Sequence, residues 1–244
     1  YQATNSLVAS AQTAVTFTVS SVNDAPAVAY STNEVVVLED AGAQSFAGFA
    51  SFTAGPTNES AQTLVGYTAS NSSNALFSVQ PAIDGSGRLT FTPATNANGS
   101  AIVTVIVQDG GGTGDSGVDK ATNTFVITVT PVNDQPTVAL AGNVTVLEYA
   151  GPQTRAGFVT IFVHGPADEE GPPPIHQVGS DNSLLFSVQP AIAPDGTLTF
   201  TPATNANGSA TVSVVTSDSG GAANRRRASS ARIRCVLPSA YAKT

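Results

Sequence analysis

The 244-residue sequence has a single cysteine, Cys235, and neither tryptophan nor methionine. One thiol excludes an intrachain disulfide, so the chain must be stabilised by core packing or by bound metal. Basic residues are scarce as well: nine Lys and Arg stand against 17 Asp and Glu, for a formal net charge of −8. Six of the nine (Arg225, Arg226, Arg227, Arg232, Arg234 and Lys243) fall in the last twenty residues, and no acid follows Asp218. The preceding body therefore carries 17 acids against three bases, formally −14. Such a body repels nucleic acid and anionic membrane surfaces, and it attracts divalent cations wherever its carboxylates converge. No apolar run reaches transmembrane length, so membrane insertion is not expected. The two histidines, His164 and His176, sit in one irregular segment, and no Ser/His/Asp order, zinc spacing or phosphate loop accompanies them. Catalysis is not expected.

Val, Thr, Ala, Ser, Asn and Gly dominate what is present, with frequent Pro and Gly punctuation. That composition suits many short strands joined by tight turns. The sequence also repeats itself. "LTFTPATNANGSA" at 89–101 returns unchanged at 198–210, "LFSVQPAI" at 76–83 returns at 185–192, and "VNDAP" at 22–26 returns as "VNDQP" at 132–136. Offsets of 109 or 110 throughout make two copies of one module. Within copy one, alternation predicts strands near 35–38, 44–52, 63–69, 76–80, 88–92, 101–108 and 121–130. Seven strands in about 100 residues describe an immunoglobulin-like sandwich. The expected fold is all-β: tandem seven-stranded antiparallel β-sandwiches.

The repeat sets the boundaries: copy one over 22–131, copy two over 132–224 and an atypical basic segment over 225–244. "VTFTVSSVND" at 15–24 aligns with "FVITVTPVND" at 125–134, so residues 1–21 read as the last strand of a preceding repeat, or as a strand donated to another subunit. The opening on Tyr1 rather than Met suits a mature product or an excerpt of a longer chain. At the other end the expected final strand is replaced by "RRRASSARIRCVLPSAYAKT", of which "ARIRCVLP" alternates well enough for an edge strand.

Oxygen ligands gather at turns. In an up-and-down sandwich, the linker residues Asn23 and Asp24, the loop acid Glu59 beside Asn58, and Asp109 at the end of the sixth strand all fall at one end of copy one. Copy two places Asn133, Asp134, the acids Asp168, Glu169 and Glu170, and Asp218 likewise. Glu39 and Glu148 end the first strand, at the opposite end. At the junction of the copies, Glu39 is expected to meet Asn133 and Asp134, with Asp218 and the 168–170 loop facing them. Calcium takes six to eight such oxygens. Asn-Asp-x-Pro is also an ordinary turn former, but a convergence of acids without a base repels itself unless a cation is held.

"VNDAP", the acid in "VLED" and "VQDGGG" resemble the cadherin-like tandem repeats of bacterial surface proteins and large adhesins, over nearly all of copy one and copy two up to about Asn224. The resemblance implies a sandwich fold, extracellular placement and calcium between modules that stiffens the array. It assigns linker ligands to Asn23, Asp24, Asn133 and Asp134, the first-strand glutamate to Glu39 and Glu148, and the sixth-strand aspartate to Asp109 and Asp218. The linker is poorer in acids than in animal cadherins, and their fifth-strand acidic ligands have no match. The expected function is a non-enzymatic extender of an extracellular adhesin or fibre, whose partners are neighbouring repeats of the same polypeptide. The alternatives are a carbohydrate- or matrix-binding module and a subunit that joins like subunits in a head-to-tail filament by strand donation.

Overall fold

The computed structural model describes residues 12–166, 169 and 171–218 with their side chains, and residues 229–237 as backbone. Two compact units divide at Thr130 and Pro131, one residue from the boundary expected from the repeat. Each is all-β, apart from single 3₁₀ turns.

The first unit contains β1 (Ala27–Tyr30), β2 (Glu34–Leu38), β3 (Gln44–Phe46), β4 (Ala50–Thr53), β5 (Leu64–Asn71), β6 (Phe77–Ile83), β7 (Leu89–Pro93), β8 (Gly99–Asp109) and β9 (Lys120–Thr130). One sheet has the order β2-β9-β8-β5, with β2 parallel to β9 and the other pairs antiparallel. The facing layer contains β3-β7-β6 and the pair β1-β4. The seven runs expected from alternation become nine segments for two reasons. The run expected over 44–52 is broken at Gly48, whose φ of 64° no β-strand adopts. The stretch 27–30 is a strand that the alternation did not single out; it pairs with β4, and the chain then crosses to β9 as β2.

Alternation along β8 sets the core. Ala101, Val103, Val105 and Val107 are fully buried, whereas Ile102 and Ile106 on the other face are half-exposed. They pack with Phe125, Ile127 and Val129 of β9 and with Leu89 and Phe91 of β7 across the sandwich. Full burial of such a side chain stabilises by about 1.5–3 kcal/mol. The Phe49 and Phe125 rings meet edge to face at 4.7 Å, and Tyr30 lies 5.0 Å from Phe125. The repeated thirteen residues form β7, a turn and the start of β8. Asn96 (φ 55°) and Gly99 (φ 130°) bend that turn, as Asn205 (φ 61°) and Gly208 (φ 130°) do in the second unit.

The second unit repeats the order with β10 (Thr137–Leu140), β11 (Val144–Thr145), β12 (Gln153–Arg155), β13 (Val159–Val163), β14 (Ile175–Ser180), β15 (Phe186–Ile192), β16 (Leu198–Pro202), β17 (Gly208–Ser217) and β18 (Ser229–Leu237). The three prolines at 172–174 precede β14 rather than interrupt it. The boundary expected at residue 224 needs correction, because the basic segment supplies β18. This strand is not at an edge: the order is β11-β18-β17-β14. In register, Ile233, Cys235 and Leu237 stand opposite Val212, Ala210 and Gly208. Phe125, Ile127 and Val129 stand opposite Val103, Ala101 and Gly99 in the first unit. An unrelated sequence with the right period of two thus fills the same slot.

Residues 1–21, expected as the last strand of a preceding repeat or as a donated strand, are described only from residue 12, and 12–26 pair with no strand.

Candidate functional site

At the β8–β9 end of the first unit, the linker is tied into the sandwich. Asn23 Nδ2 donates to Asp109 Oδ1 at 3.2 Å, to Gly112 O at 3.1 Å and to Val118 O at 2.8 Å. Its Oδ1 accepts from Gln62 Nε2 at 2.7 Å. The Asp24 amide donates to Glu59 Oε1 at 2.9 Å, and the Gly111 amide to Asp109 Oδ1 at 2.9 Å. A single 3₁₀ turn over Thr57–Glu59 presents the glutamate. Two glycines make room. A Cβ on Gly111 would lie 1.9 Å from Asn23 Oδ1, and one on Gly55 would lie 2.4 Å from Glu59 Oε2.

Both acids are nearly sealed from solvent, Glu59 at 4% and Asp109 at 1% exposure. Each uses one carboxylate oxygen in these bonds. Glu59 Oε2 and Asp109 Oδ2 are buried without a hydrogen-bond partner, as is Gln62 Oε1. Among the described residues no lysine or arginine pairs with them; the ion pair found there joins Arg88 to Asp84 at 4.0 Å. Burying an uncompensated carboxylate costs several kcal/mol. Three orphaned oxygens at one end of a unit, beside an open recess of about 330 Å³ lined by Asn23, Glu59, Gln62 and Gly111, suit a hard cation.

The second unit contains the same arrangement. Asn133 Nδ2 donates to Asp218 Oδ1 at 3.3 Å, and the Asp134 amide donates to Glu169 Oε1. A Cβ on Gly165 would fall 1.7 Å from Glu169 Oε2 and 3.3 Å from the Asp134 Cβ, the counterpart of Gly55 beside Glu59 and Asp24. The counterpart of Gln62 is missing, since Pro172 stands at the position 110 residues on.

Of the residues expected to act as ligands, the structure brings Asn23, Asp24 and Asp109 together with Glu59, and Asn133, Asp134 and Asp218 together with Glu169. Asp168 lies outside the described residues, as does Glu170. Glu39 and Glu148 belong to neither cluster. Glu39 follows β2 at the opposite end of its unit, buried, with its amide bonded to Thr130 O at 2.9 Å and its Oε2 accepting from Asn98 Nδ2 at 3.4 Å. Glu148 follows β11 and is half-buried. Among the described residues no group of three His, Cys, Asp or Glu side chains forms a metal-binding arrangement. Each cluster combines two acids with amide and main-chain oxygens. Spacing alone did not find Gln62; nothing but the folded position of its loop reveals it.

No protein-family model matches the sequence, and neither does any curated protein. Solved structures do. A human protocadherin-24 structure of domains EC1-2 aligns with a TM-score of 0.52 at 14% identity, over 88% of this chain and 99% of that one. Mouse protocadherin-24 EC1-3 aligns at 0.50 and 12% identity, over 97% of this chain and 77% of that one. Drosophila N-cadherin EC1-4 aligns at 0.50 and 13% identity, over 88% and 50%. Identities this low speak for the fold alone, and with the strand order described above they establish it: the chain has the cadherin-like β-sandwich fold.

Proposed function

We propose that the chain is a non-enzymatic extender of an extracellular adhesin or fibre, rigidified by calcium at the ends of its modules. The observation that supports this most is the pair of buried acids, Glu59 and Asp109, whose outward oxygens lack hydrogen-bond partners in a body with three basic residues before position 225. The linker hydrogen bonds recur in the second unit, from Asn133 to Asp218 and from the Asp134 amide to Glu169, so they belong to the module and not to one copy. In this reading Asn23, Asp24, Glu59 and Asp109 supply one calcium shell, and their counterparts in the second unit supply the next. Ordering a linker costs conformational entropy, which charge-assisted coordination offsets. No helix among the described residues is long and apolar enough to cross a membrane.

Calorimetry of the whole chain in calcium and in chelator tests the proposal. Metal held at 100 times its Kd stabilises by about 2.7 kcal/mol, which raises the Tm by several degrees for a domain of this size. Small-angle scattering should show a narrower distribution of lengths with calcium. An unchanged Tm and an unchanged scattering curve at millimolar calcium would reject the metal.

A further inference from the structure

A recess of about 420 Å³ opens on the second unit, where the crossover from β10 to β11 meets the turn from β12 to β13. Asn143 and Thr145 line one side, Arg155 and Gly157 the other, and no acid is among its lining residues. Arg155 is exposed and enters no ion pair among the described residues. The first unit has Phe46 in this place, 109 residues earlier and paired to Leu89 as Arg155 is to Leu198. Phe46 stacks on Phe91 with ring centroids 6.0 Å apart. An aromatic ring of the first copy thus becomes an unpaired guanidinium in the second.

The recess begins where an open strand edge ends. β18 pairs with β17 along its whole length, but with β11 only at Cys235 and Val236, through Val144 and Thr145. Among the described residues, 229–234 have no neighbouring strand on that side. Arg232 and Arg234 stand opposite Ser213 and Thr211, alternating with the positions opposite the buried Val212 and Val214. The corresponding positions of β9 are Thr124 and Val126. Beside Val126 the first unit has Glu34, whose carboxylate accepts from the Thr128 hydroxyl at 2.8 Å. Asn33 recurs as Asn143 at an offset of 110 and Val35 as Val144 at 109, so Glu34 has no counterpart in copy two. One corner of the sandwich therefore loses an acid and gains three arginines between the copies.

We propose that the Arg155 recess and the open edge of β18 form a docking site for an extended acidic segment of a partner protein, with one carboxylate at Arg155 and others at alternate positions opposite Arg232 and Arg234. An added strand is held by main-chain bonds along an edge and read through every second side chain, which is the spacing of the two strand arginines. Guanidinium and carboxylate pair through two parallel hydrogen bonds, which adds direction to charge. Other polyanions fit less well. The aromatic residue lining the recess, Phe158, is 3% exposed, so neither a base nor a sugar ring has a platform to stack on. The 17 acids and three bases before position 225 repel nucleic acid and anionic membranes. The assignment does not depend on calcium.

The experiment uses the whole chain in chelator and a fluorescent peptide of about eight residues in which Glu alternates with Thr. Fluorescence anisotropy should show saturable binding that weakens as salt rises. A peptide of the same composition with its glutamates contiguous should bind several-fold more weakly. Arg155→Gln, and separately Arg232→Gln with Arg234→Gln, should each weaken binding about fivefold or more. Arg225→Gln, Arg226→Gln and Arg227→Gln together should leave it within about twofold. Melting curves identify any variant that has lost the second unit; Arg155→Gln changes an exposed residue and decides the matter if the β18 variant unfolds. Equal binding of the two peptides, or an equal loss in the 225–227 variant, would reduce the effect to general charge attraction and overturn the proposal. So would the absence of binding at low salt, or an Arg155→Gln chain that binds like the parent. Tighter binding of a sulfated polysaccharide, duplex DNA or phosphatidylserine vesicles, abolished by Arg155→Gln, would give the site to that ligand instead and overturn the peptide.

Discussion

Asn23 Nδ2 lies 3.2 Å from Asp109 Oδ1, and the same bond forms at 3.3 Å between Asn133 and Asp218. In both copies the linker amide holds one oxygen of the sixth-strand carboxylate. In the first unit the other, Asp109 Oδ2, is buried without a partner. Asp109→Asn therefore has opposite effects with and without metal. In chelator, removing an uncompensated buried charge should leave the first unit as stable as the parent, or more stable by about 1 kcal/mol. In calcium, the variant should lose at least half of the metal-induced rise in Tm. Melting curves in the two buffers check both signs, and a variant destabilised equally in both would deny Asp109 a role at the metal.

The turn between β6 and β7 makes a purely structural prediction. A Cβ on Gly87, where φ is 77°, would fall 1.9 Å from the carbonyl oxygen of Ala50, which is main chain and cannot move aside as a side-chain tip would. The Ala50 amide also bonds to Gly87 O at 2.9 Å, and this bond carries the layer past the Gly48 bend. Gly87→Ala should destabilise the first unit by about 2 kcal/mol or more. Gly85→Ala, two residues earlier in the same turn with nothing within 4 Å, should change stability by about 0.5 kcal/mol or less. Denaturant midpoints of the two variants make the comparison.

Tyr30 reports on the core at high pH. Its hydroxyl is buried without a hydrogen-bond partner, and its ring packs on Phe49 and Phe125. Burial, with a smaller contribution from the nearby Tyr67, raises its pKa from 10.0 to about 12. The folded state thus holds the phenolic proton more tightly than the unfolded state. The resulting stability is complete below pH 10 and is lost as pH rises towards 12. Tyr30→Phe should flatten that decline and stay within about 1 kcal/mol of the parent at pH 7, since the hydroxyl it removes makes no bond. Equilibrium unfolding between pH 9 and pH 12 shows the difference in slope, and parallel slopes would contradict it.

The repeat made most of the fold legible before any coordinates. Apolar alternation in "AIVTVIVQD" marks the buried face of β8, and it also separates Ile102 and Ile106 from their buried neighbours. Where sequence reading fell short, tertiary geometry decides. Gly48 breaks a run that alternates well on either side, and Ala27–Tyr30 becomes a strand only because β4 lies beside it. The candidate site followed the same rule. Asn23, Asp24 and Asp109 were visible as turn residues at regular offsets, whereas Gln62 enters through a loop whose shape no period describes. The opposite case is β18, where a segment that breaks the repeat keeps only an alternation of Ala231, Ile233, Cys235 and Leu237, and that alternation suffices for the slot.

His176 confines a pH effect to the second unit. It is on β14, its Nδ1 lies 2.8 Å from the hydroxyl of the fully buried Thr216, and its Nε2 is buried without a partner. Burial lowers its pKa below the ordinary 6.5, so the neutral ring is favoured in the folded state. As pH falls through 6.5 the unfolded chain takes up the proton first, and the second unit loses stability until the folded ring is protonated as well. Copy one has Tyr67 at the equivalent position, 109 residues earlier and opposite Val107 as His176 is opposite Thr216, and a phenol does not titrate in this range. Lowering the pH from 7 to 5 should therefore depress the melting transition of the second unit more than that of the first. His176→Gln should bring the two dependences together. The comparison is made in chelator, so that metal release from the carboxylates adds nothing in this range. Equal depression of both transitions in the parent chain would show that His176 is not the group responsible.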